Sequence, residues 1–523
     1  MGKYGKYNFK LSDIDIGNAD GERESDNENF YDFFYNRHGN YESLKNDRNK
    51  FIVTGKKGSG KTYLVKYLEK KVINDGILAK TIKWNDINRD TLVELGKQTD
   101  EPENAIFYEY IIYIEIARLL LSIPKKQILK KIIHPIKFLK AIRSLHKLKA
   151  FYTERYPNGN YSIEKIKKND STSVKVDISS SLKGINNGNS TTKNVAVEKE
   201  FVKKTPYQII EELEKLVFNI LQNFSTIMIS DDLDEQELNM LSNENFSSFL
   251  IKYIYAVNQI NLRINKFNSK CIIVLRNDIL DKLNSKSSNI NKQITDSTIY
   301  INWCEKQIGK PWNYELAKMI LNKIKISAKL DIKVSNKTLY KFLFPDNVEG
   351  VSAIDFLISR SLGRPRDIIV FLNKIKEKRP DSTNFKPAFF REVLNDYSNY
   401  FVNEFKNEMS IFFNQEEIEQ IFSLLSDFNK RKFTFEDLQI FYNNNIKQYQ
   451  KVEDLKSVVA NLYSIGLLGN INNDGAVSFA YRVDGKEKAN FNADFVIHYG
   501  AQKKLVSNFH KSNYNKYRKM EQN

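Results

Sequence analysis

Two hydrophobic periodicities alternate along residues 51–275 of the chain. Short apolar runs, typical of buried strands, are FIVTG (51–55), ILAKTIKW (77–84), STIMIS (225–230) and KCIIVL (270–275). Between them, apolar residues recur every three to four positions, as in amphipathic helices, at 61–72, 91–97, 104–122, 207–223 and 245–261. This alternation predicts an α/β fold, with a parallel sheet covered by helices on both faces.

The pattern changes in the second part of the chain. Residues 312–410 keep helical periodicity without strands between the helices, which predicts an α-helical subdomain. Three further helical segments follow at 415–426, 434–442 and 452–465, and after them comes LLGNINNDGAVSFAYRV, typical of a β-hairpin with its turn at 472–475. Three helices and a hairpin are the pattern of a winged-helix domain.

Positive charge is concentrated in residues 125–204, which hold 19 Lys/Arg and six Asp/Glu in a chain of net charge +17. Residues 125–149 carry nine Lys/Arg and no acid on a helical pattern, with Leu129, Ile133, Phe138 and Leu145 on an apolar face. Residues 156–204 lose this periodicity and are rich in Ser, Asn and Gly. We interpret 124–204 as an insertion whose helix either binds nucleic acid or another polyanion, or is simply a solvated basic helix.

An acidic segment lies near the N-terminus. Residues 11–29 hold seven acidic residues and one basic residue, and the aromatic run FYDFFYN follows at 30–36. A run of like charges is usually a solvated face, so we predict an acidic leader exposed to solvent.

Composition excludes several classes of protein. With 41% hydrophobic residues the chain can form several cores, and two cysteines, Cys271 and Cys304, exclude a disulfide framework and a Cys-rich metal site. The most membrane-like run contains Glu109, Glu115 and Arg118, and no apolar segment of signal-peptide length opens the chain. We therefore expect a cytoplasmic protein without a membrane partner.

The first strand, loop and helix contain GKKGSGKT, which satisfies the pattern GxxxxGK[ST] in the required context. In such a loop, backbone N–H groups and a helix N-terminus hold the phosphates of a nucleotide. Lys61 would neutralise β- and γ-phosphate oxygens, and Thr62 would bind Mg²⁺. The predicted cofactors are therefore ATP and Mg²⁺, and the cofactor-binding residues are Gly55, Lys56, Lys57, Gly58, Ser59, Gly60, Lys61 and Thr62.

A second apolar strand ends in acids, in the sequence IMISDDLDE. Because Mg²⁺ needs a carboxylate opposite Thr62, we predict Asp231 as a metal ligand. Asp232 is the candidate base that polarises the attacking water. Asp234 and Glu235 remain alternatives, since the sequence does not specify the geometry of the turn.

Three arginines are candidates for sensing the γ-phosphate. Arg276, with Asn277 beside it, follows the next strand at the edge where ligands of open α/β sheets bind; the alternative is an ordinary salt bridge at that edge. Arg364 and Arg366 lie in the segment RSLGRPRD of the helical subdomain. Their guanidinium groups suit phosphate, and the alternative is pairing with acids of a neighbouring helix.

Taken together, these segments resemble the AAA+/STAND superclass of P-loop ATPases, and more narrowly a bacterial P-loop ATPase family with a C-terminal winged helix. The resemblance is carried by GKKGSGKT, the DDLD strand, VLRND and GRPRD, and less specifically by NKQ…INW and FVIHYGAQKKL. It implies an ATP-dependent switch, often in regulation or bacterial defence, with site roles for Lys61, Thr62, Asp231, Asp232, Arg276 and the GRPRD loop. The acidic pair is Asp-Asp where the AAA+ pattern favours Asp-Glu, so we expect slow turnover.

The predicted architecture is a P-loop parallel sheet followed by a helical lid and a winged-helix domain. Its segments are an acidic leader with an aromatic segment (1–50), the ATPase core (51–123 and 205–311), the basic insertion (124–204), the lid (312–410), the winged helix (411–508) and a basic tail (509–523).

The expected partners are ATP/ADP, nucleic acid through the basic insertion or the winged helix, and a second copy or an effector protein. Glu436, Asp437, Glu453 and Asp454 make the winged helix less basic than a typical DNA reader, which favours a role in protein interaction. The alternative function is a DNA-binding regulator in which nucleotide is mainly structural. A small-molecule kinase lacks an evident acceptor pocket.

Overall fold

The structure is a computed structural model of the chain, and it describes residues 9–83, 103–124, 128, 135–155, 206–233, 244–286, 294–303, 309–331, 333–410, 412–482 and 485–506. The predicted helix at 91–97, the half of the insertion at 156–204, Asp234, Glu235 and the basic tail lie outside the described residues.

The elements up to the last strand of the large sheet are, in chain order, α1 (Gly21–Ser25), α2 (Phe30–Phe33), α3 (Asn40–Asn46), β1 (Ile52–Gly55), α4 (Lys61–Asn74), β2 (Leu78–Lys83), α5 (Glu103–Leu121), α6 (Pro135–Arg155), α7 (Pro206–Leu221), β3 (Thr226–Asp231), α8 (Glu244–Ile264), β4 (Lys270–Arg276), α9 (Asn277–Lys286) and β5 (Thr298–Ile301).

The later elements are α10 (Glu315–Ser327), α11 (Asn336–Leu343), α12 (Ala353–Ser359), α13 (Pro365–Lys378), α14 (Pro387–Met409), α15 (Gln415–Phe428), β6 (Lys432–Phe433), α16 (Phe435–Asn444), α17 (Leu455–Ser464), β7 (Leu468–Ile471), β8 (Val477–Ser478), β9 (Phe495–Ile497) and α18 (Gln502–Leu505).

The large sheet is parallel and has the strand order β2-β3-β4-β1-β5. β1 lies between β4 and β5, with Gly55 opposite Arg276 on one side and Ile301 on the other. β1, β3 and β4 are buried along their whole length, as expected for strands covered on both faces. The loop after β1, the acids after β3 and the arginine after β4 therefore emerge at the same edge of the sheet.

The strand pattern missed β5, because its sequence TIYI is short and exposes Tyr300. Its β-branched residues Thr298, Ile299 and Ile301 are the signal that identifies it.

The described chain divides into two compact units. The first contains the described residues of Met1–Lys71, Asp231–Asn243 and Ile273–Asn523, and the second contains those of Val72–Ser230 and Glu244–Ile272.

In the second unit, α5 packs against α6, α7 and α8. Of the predicted basic helix at 125–149, residues 135–149 belong to α6, and Leu129 and Ile133 lie outside the described residues. The helix buries Ala141, Leu148 and Phe151, whereas the predicted apolar positions Phe138 and Leu145 are only partly buried. Arg118 Nε of α5 donates a hydrogen bond of 2.7 Å to the hydroxyl of Tyr152 on α6.

In the first unit, the described part of 312–410 forms helices α10–α14 with one isolated β-bridge between Val348 and Val351. α13 packs on α14, and the aromatic rings of Phe356, Phe371 and Phe390 meet between the helices. Helical periodicity identified this region correctly because each helix buries one apolar stripe.

The C-terminal part of the first unit contains α15–α18 and a small sheet of order β6-β9-β7-β8. The predicted hairpin is present: β7 and β8 pair antiparallel, and the N–H of Gly475 donates to the carbonyl of Asn472 at 2.9 Å. β6 and β9 were not predicted, because runs of two and three residues are too short to show alternation.

The prediction of a solvated acidic leader is wrong. Residues 9–25, here called the N-terminal strap, bury Leu11, Ile14 and Ile16 completely in the first unit. The strap lies along α13, where Asn373 donates a hydrogen bond of 3.0 Å to the Gly17 carbonyl, and Lys376 donates to the Ile14 carbonyl. The prediction was based on charge alone. The apolar residues between the acids are the ones that are buried, so they decide where the strap lies.

Candidate functional site

The loop between β1 and α4 turns on glycines. Gly58 and Gly60 have φ values of +78° and +96°, in the left-handed region that side chains rarely adopt. Gly58 also lies close to α13, since a Cβ atom there would be 3.0 Å from the Cβ of Arg366. The turn lets α4 begin at Lys61, so that the unsatisfied N–H groups of its first turn lie beside the loop.

Lys61 lies over this loop and is half-buried. Its Nζ donates hydrogen bonds to the carbonyl oxygens of Gly55, at 2.9 Å, and Lys56, at 3.2 Å. The ammonium group is thus held inside the curve of the loop, where an anion would meet it together with the helix N-terminus.

Asp231, the last residue of β3, is buried, and the Thr62 side chain of α4 lies next to its carboxylate. The carboxylate accepts a hydrogen bond of 2.9 Å from the N–H of Asp232. Burial raises the pKa of Asp231, although the Asp232 N–H, the Thr62 side chain and the charges of Lys61 and Lys66 oppose the change. The buried carboxylate is therefore only partly compensated by protein, and a divalent cation beside the Thr62 hydroxyl fits this oxygen pair.

Asp232 occupies the turn directly after Asp231. Its φ of +57° is in the left-handed region, and its side chain is half-exposed. An aspartate tolerates this conformation better than most residues do, and strained backbone of this kind is concentrated at functional sites. The position is consistent with the predicted base, and the choice among Asp232, Asp234 and Glu235 remains a prediction.

Arg276 lies at the same edge but forms an ion pair with Asp278. Its Nε and Nη2 donate to the two carboxylate oxygens of Asp278 at 3.0 and 2.7 Å. These contacts match the edge salt bridge, the second of the two interpretations given for this arginine. Arg276 is nevertheless beside the loop, because it is paired in register with Gly55.

Arg364 is buried in a network of ion pairs. Its Nε donates to both oxygens of Asp367, at 3.0 and 2.9 Å, and its two Nη atoms bond Glu408 at 3.1 Å and Glu404 at 3.3 Å. Nη1 also donates to the carbonyl of Lys57 at 2.8 Å. Arg364 therefore pairs with acids of α14 and is also hydrogen bonded to the backbone of the loop.

Arg366, two residues later, has a different environment. Its Nε donates to the carbonyl of Ala19 in the strap at 3.2 Å, and Nη1 is 3.6 Å from Glu404. The side chain is about one quarter exposed and lines a cavity next to Gly58. Of the two arginines, Arg366 is thus the one that faces open space at the loop.

This cavity has a volume of about 130 Å³ and lies within the first unit. Its walls come from the loop and the start of α4 (58–64), the strap, the aromatic segment (33–37), Trp303 after β5, and helices α10 and α13 of the lid region. Helix termini, apolar rings and a few polar groups converge on one concave space, the usual composition of a ligand pocket.

Several residues of this wall were missed by reasoning from the sequence. Trp303 Nε1 donates a hydrogen bond of 2.9 Å to the Ser59 carbonyl, and the guanidinium of Arg37 lies 5.0 Å from the centre of the indole ring. Lys323 of α10 and Glu24 of the strap form a buried ion pair. The aromatic run at 30–36 and the segment NKQ…INW, which ends at Trp303, were the available signals, although neither was assigned to the site.

The C-terminal part also reaches the loop, through Tyr481. The Lys56 Nζ lies 5.3 Å from the centre of its ring, and its hydroxyl donates to the Ser361 carbonyl at 3.2 Å. The same hydroxyl is 2.9 Å from Nε2 of His498, whose Nδ1 accepts from the N–H of Gly500 at 3.1 Å. Burial, together with the positive charge of Arg482, holds the pKa of His498 well below its usual value.

Membrane-spanning helices and metal-binding clusters are both absent from the described residues. No helix in that part of the chain is long and apolar enough to cross a membrane. Within the same residues, no group of three or more His, Cys, Asp or Glu side chains is arranged to hold a metal ion.

A known protein family matches part of the chain. The family described as the FunZ-associated C-terminal helical domain matches residues 314–406, which include α10–α13 and most of α14. The chain is similar to this family over its helical region, the region that carries Arg364, Arg366 and Lys323. No curated protein matches the chain.

Proposed function

We propose that this protein is an ATP-binding P-loop ATPase of the AAA+/STAND type that works as a nucleotide-driven switch. The observation that carries the proposal is the position of Thr62 next to the buried Asp231, with Lys61 beside them in a glycine-rich loop at the carboxyl edge of a parallel sheet. This combination of cation, hydroxyl and carboxylate is what a magnesium nucleotide requires.

Different residues at this site would bind the phosphates, the Mg²⁺ ion and the base of the nucleotide. The backbone N–H groups at the start of α4 and the Nζ of Lys61 would hold the phosphate oxygens. Thr62 and Asp231 would hold Mg²⁺, which neutralises charge that develops on the phosphate oxygens. The cavity between the loop and the aromatic segment would take the base, since it is lined by apolar rings and lies beside the phosphate-binding turn.

Hydrolysis needs a proton acceptor for the attacking water. Asp232 is the residue we assign, because it directly follows Asp231 and its side chain is half-exposed. Its carboxylate would accept the proton while water attacks the γ-phosphorus and ADP leaves. Asp-Asp in place of Asp-Glu shortens this side chain by one methylene, and slow turnover is expected.

The lid supplies the switch. Arg366 lines the cavity beside Gly58, so we assign it the sensing of the γ-phosphate, and Arg364 positions the loop through Lys57. A contact made with ATP but not with ADP is a differential interaction, and such a difference is what shifts a conformational equilibrium. The C-terminal helices and small sheet, which we interpret as a winged-helix domain, contact Lys56 through Tyr481 and would report that change.

The proposal extends to the setting of the protein. We infer a cytoplasmic switch whose response is passed to a second copy or an effector protein through the C-terminal domain. The competing function is a DNA-binding regulator in which nucleotide only stabilises the fold.

The test is calorimetric titration of the full chain with ATP and ADP in the presence of Mg²⁺, together with steady-state phosphate release. The variant Lys61→Ala should lose ATP binding while it keeps its fold, because the cation that reaches the phosphates is gone. Lys80→Ala, which removes an exposed lysine of β2, is the matched control and should bind as the wild type does. An unchanged ATP affinity in a folded Lys61→Ala variant would remove this loop from the site. Tight binding without phosphate release would favour the regulator.

A further inference from the structure

Helix α6 of the second unit has two faces of opposite character. One face buries Ala141, Leu148 and Phe151, and α6 packs against α5 and α7. The other face is exposed and carries Lys140, Arg143 and Lys147. The helix is therefore anchored by its apolar side, with the cations on its outer side.

The three cations form a stripe. Their spacing of three and then four residues places them on one side of the helix, and they span about 10.5 Å along its axis at about 1.5 Å per residue. The exposed Lys137 and Lys149 flank the stripe, and α6 has no acid before Glu154. Cations stacked at these spacings repel one another, so the stripe costs helix stability unless an anion neutralises it.

One strand of B-form DNA carries a charge about every 3.4 Å along the helix axis, so a length of about 10.5 Å presents about three phosphates. We propose that the exposed face of α6 binds the phosphate backbone of double-stranded nucleic acid without reading its sequence. This surface lies in the second unit, whereas the residues assigned to nucleotide binding belong to the first, and the proposal does not depend on the proposed ATPase function.

An anionic membrane is the competing partner, because Ile136 and Leu139 are 61% and 63% exposed on the first turns of α6. A helix that lies on a membrane places its broad apolar face in the lipid. In α6, Ala141, Leu148 and Phe151 are already buried in protein, and Phe138, Ile142 and Leu145 are partly buried, so Ile136 and Leu139 are the large aliphatic side chains that its described part leaves exposed. The charge stripe is the larger feature of the exposed face, and it favours a backbone of regularly spaced phosphates.

The experiment measures binding of the full chain, without ATP, to fluorescent DNA duplexes of two unrelated sequences, from about 50 to about 300 mM salt. The test variant combines Lys140→Gln, Arg143→Gln and Lys147→Gln. The control combines Lys333→Gln, Lys337→Gln and Lys341→Gln, which remove the same charge from exposed positions on and just before α11. Circular dichroism checks that both variants keep the helix content of the wild type.

Log K falls with log salt, and each lost phosphate contact makes this slope less steep by about 0.9. The slope of the test variant should therefore be less steep than that of the wild type by about 2.7, and the slope of the control should change little. The affinities of the wild type for the two duplexes should agree within about twofold, since backbone contacts carry no sequence information. Equal slopes for the two variants would overturn the proposal, as would no binding at low salt. Binding to phosphatidylserine vesicles that requires the stripe, with no DNA binding, would assign the face to a membrane instead.

Discussion

Arg364 Nη1 donates a hydrogen bond of 2.8 Å to the main-chain carbonyl of Lys57, so an arginine of the helical region is bonded directly to the glycine-rich loop. The two residues are separated by 307 positions in the chain. Asp367, Glu404 and Glu408 hold the same guanidinium. The packing of α13 and α14 and the position of the loop are therefore linked by a specific contact.

Arg364→Ala should destabilise the protein by about 3–5 kcal/mol. The side chains of Arg364 and Asp367 are 3% and 0% exposed, and removal of one partner leaves a buried carboxylate without its counter-charge. Equilibrium unfolding in urea measures the loss. The control is Arg379→Ala, whose pair with Glu392 is largely exposed and should be worth under about 1 kcal/mol. A loss for Arg364→Ala no larger than the control would show that solvent already compensates Asp367.

Arg366→Ala should change nucleotide preference while it changes stability little. If this arginine contacts the γ-phosphate, ATP binding should weaken by roughly 1.5–3 kcal/mol, the value of a charge-assisted hydrogen bond, and ADP binding should stay as it is. Parallel titrations with both nucleotides measure the ratio. Arg379→Ala serves again as the matched arginine removal. A wild-type ratio of the two affinities would return the sensing role to Arg276 or to an arginine of a second copy.

Lys323→Met should lower the free energy of unfolding by about 3–5 kcal/mol, because Glu24 would remain buried and charged. The variant should therefore unfold at a lower denaturant concentration than the wild type. Burial lowers the pKa of Lys323, so the pair is held at a real desolvation cost. Adding Glu24→Gln should recover much of the loss by removing the second charge. Lys10→Met, which breaks the exposed pair with Asp381, is the control. Equal losses for the single and the double variant would mean that packing, and not charge, sets the effect.

His498 should make stability fall in acid. Its folded pKa is lowered by burial, so the folded state keeps the ring neutral while the unfolded state takes a proton below about pH 6.5. The contribution of the neutral His498 ring to the free energy of unfolding is fully present above about pH 6.5. Below that pH it falls by up to about 1.4 kcal/mol for each pH unit, until the pKa of His498 in the folded state is reached.

Thermal unfolding at about pH 7.5 and about pH 5.5 tests this prediction. The wild type should lose more stability between the two conditions than His498→Gln does. His146→Gln, on the exposed face of α6, should behave as the wild type. Parallel pH profiles for the wild type and His498→Gln would contradict the assignment.

Asp232→Asn should bind ATP normally and hydrolyse it more slowly, because it removes the proposed base and keeps the ligand Asp231. Titration measures binding, and single-turnover phosphate release measures the chemical step. Asp75→Asn, an exposed change just after α4, controls for the loss of one negative charge. Unchanged turnover would transfer the role of base to Asp234 or Glu235.

The elements that carry the candidate site could be predicted from local pattern. β1, the loop and α4 follow from an apolar run, a glycine-rich turn and helical periodicity, and β3 follows from an apolar run that ends in acids. Each of these signals lies within about twenty consecutive residues, the scale on which backbone geometry and periodicity act. Parallel strands then bring the two segments to one edge, where Thr62 lies next to Asp231.

Other features were decided only by tertiary structure. The acids of the strap indicated solvent, yet Ile14 and Ile16 are buried in a segment whose backbone is hydrogen bonded along α13. Arg364 and Arg366 are equivalent as sequence, and only packing makes one a buried ion pair and leaves the other facing the cavity. By itself the sequence determined the local elements and the chemistry that they carry. Glu24 and Lys323 are 299 positions apart in the chain, and folding alone brings them together as a buried ion pair. Their energy depends on desolvation and on the distance between the charges, which no local sequence pattern encodes.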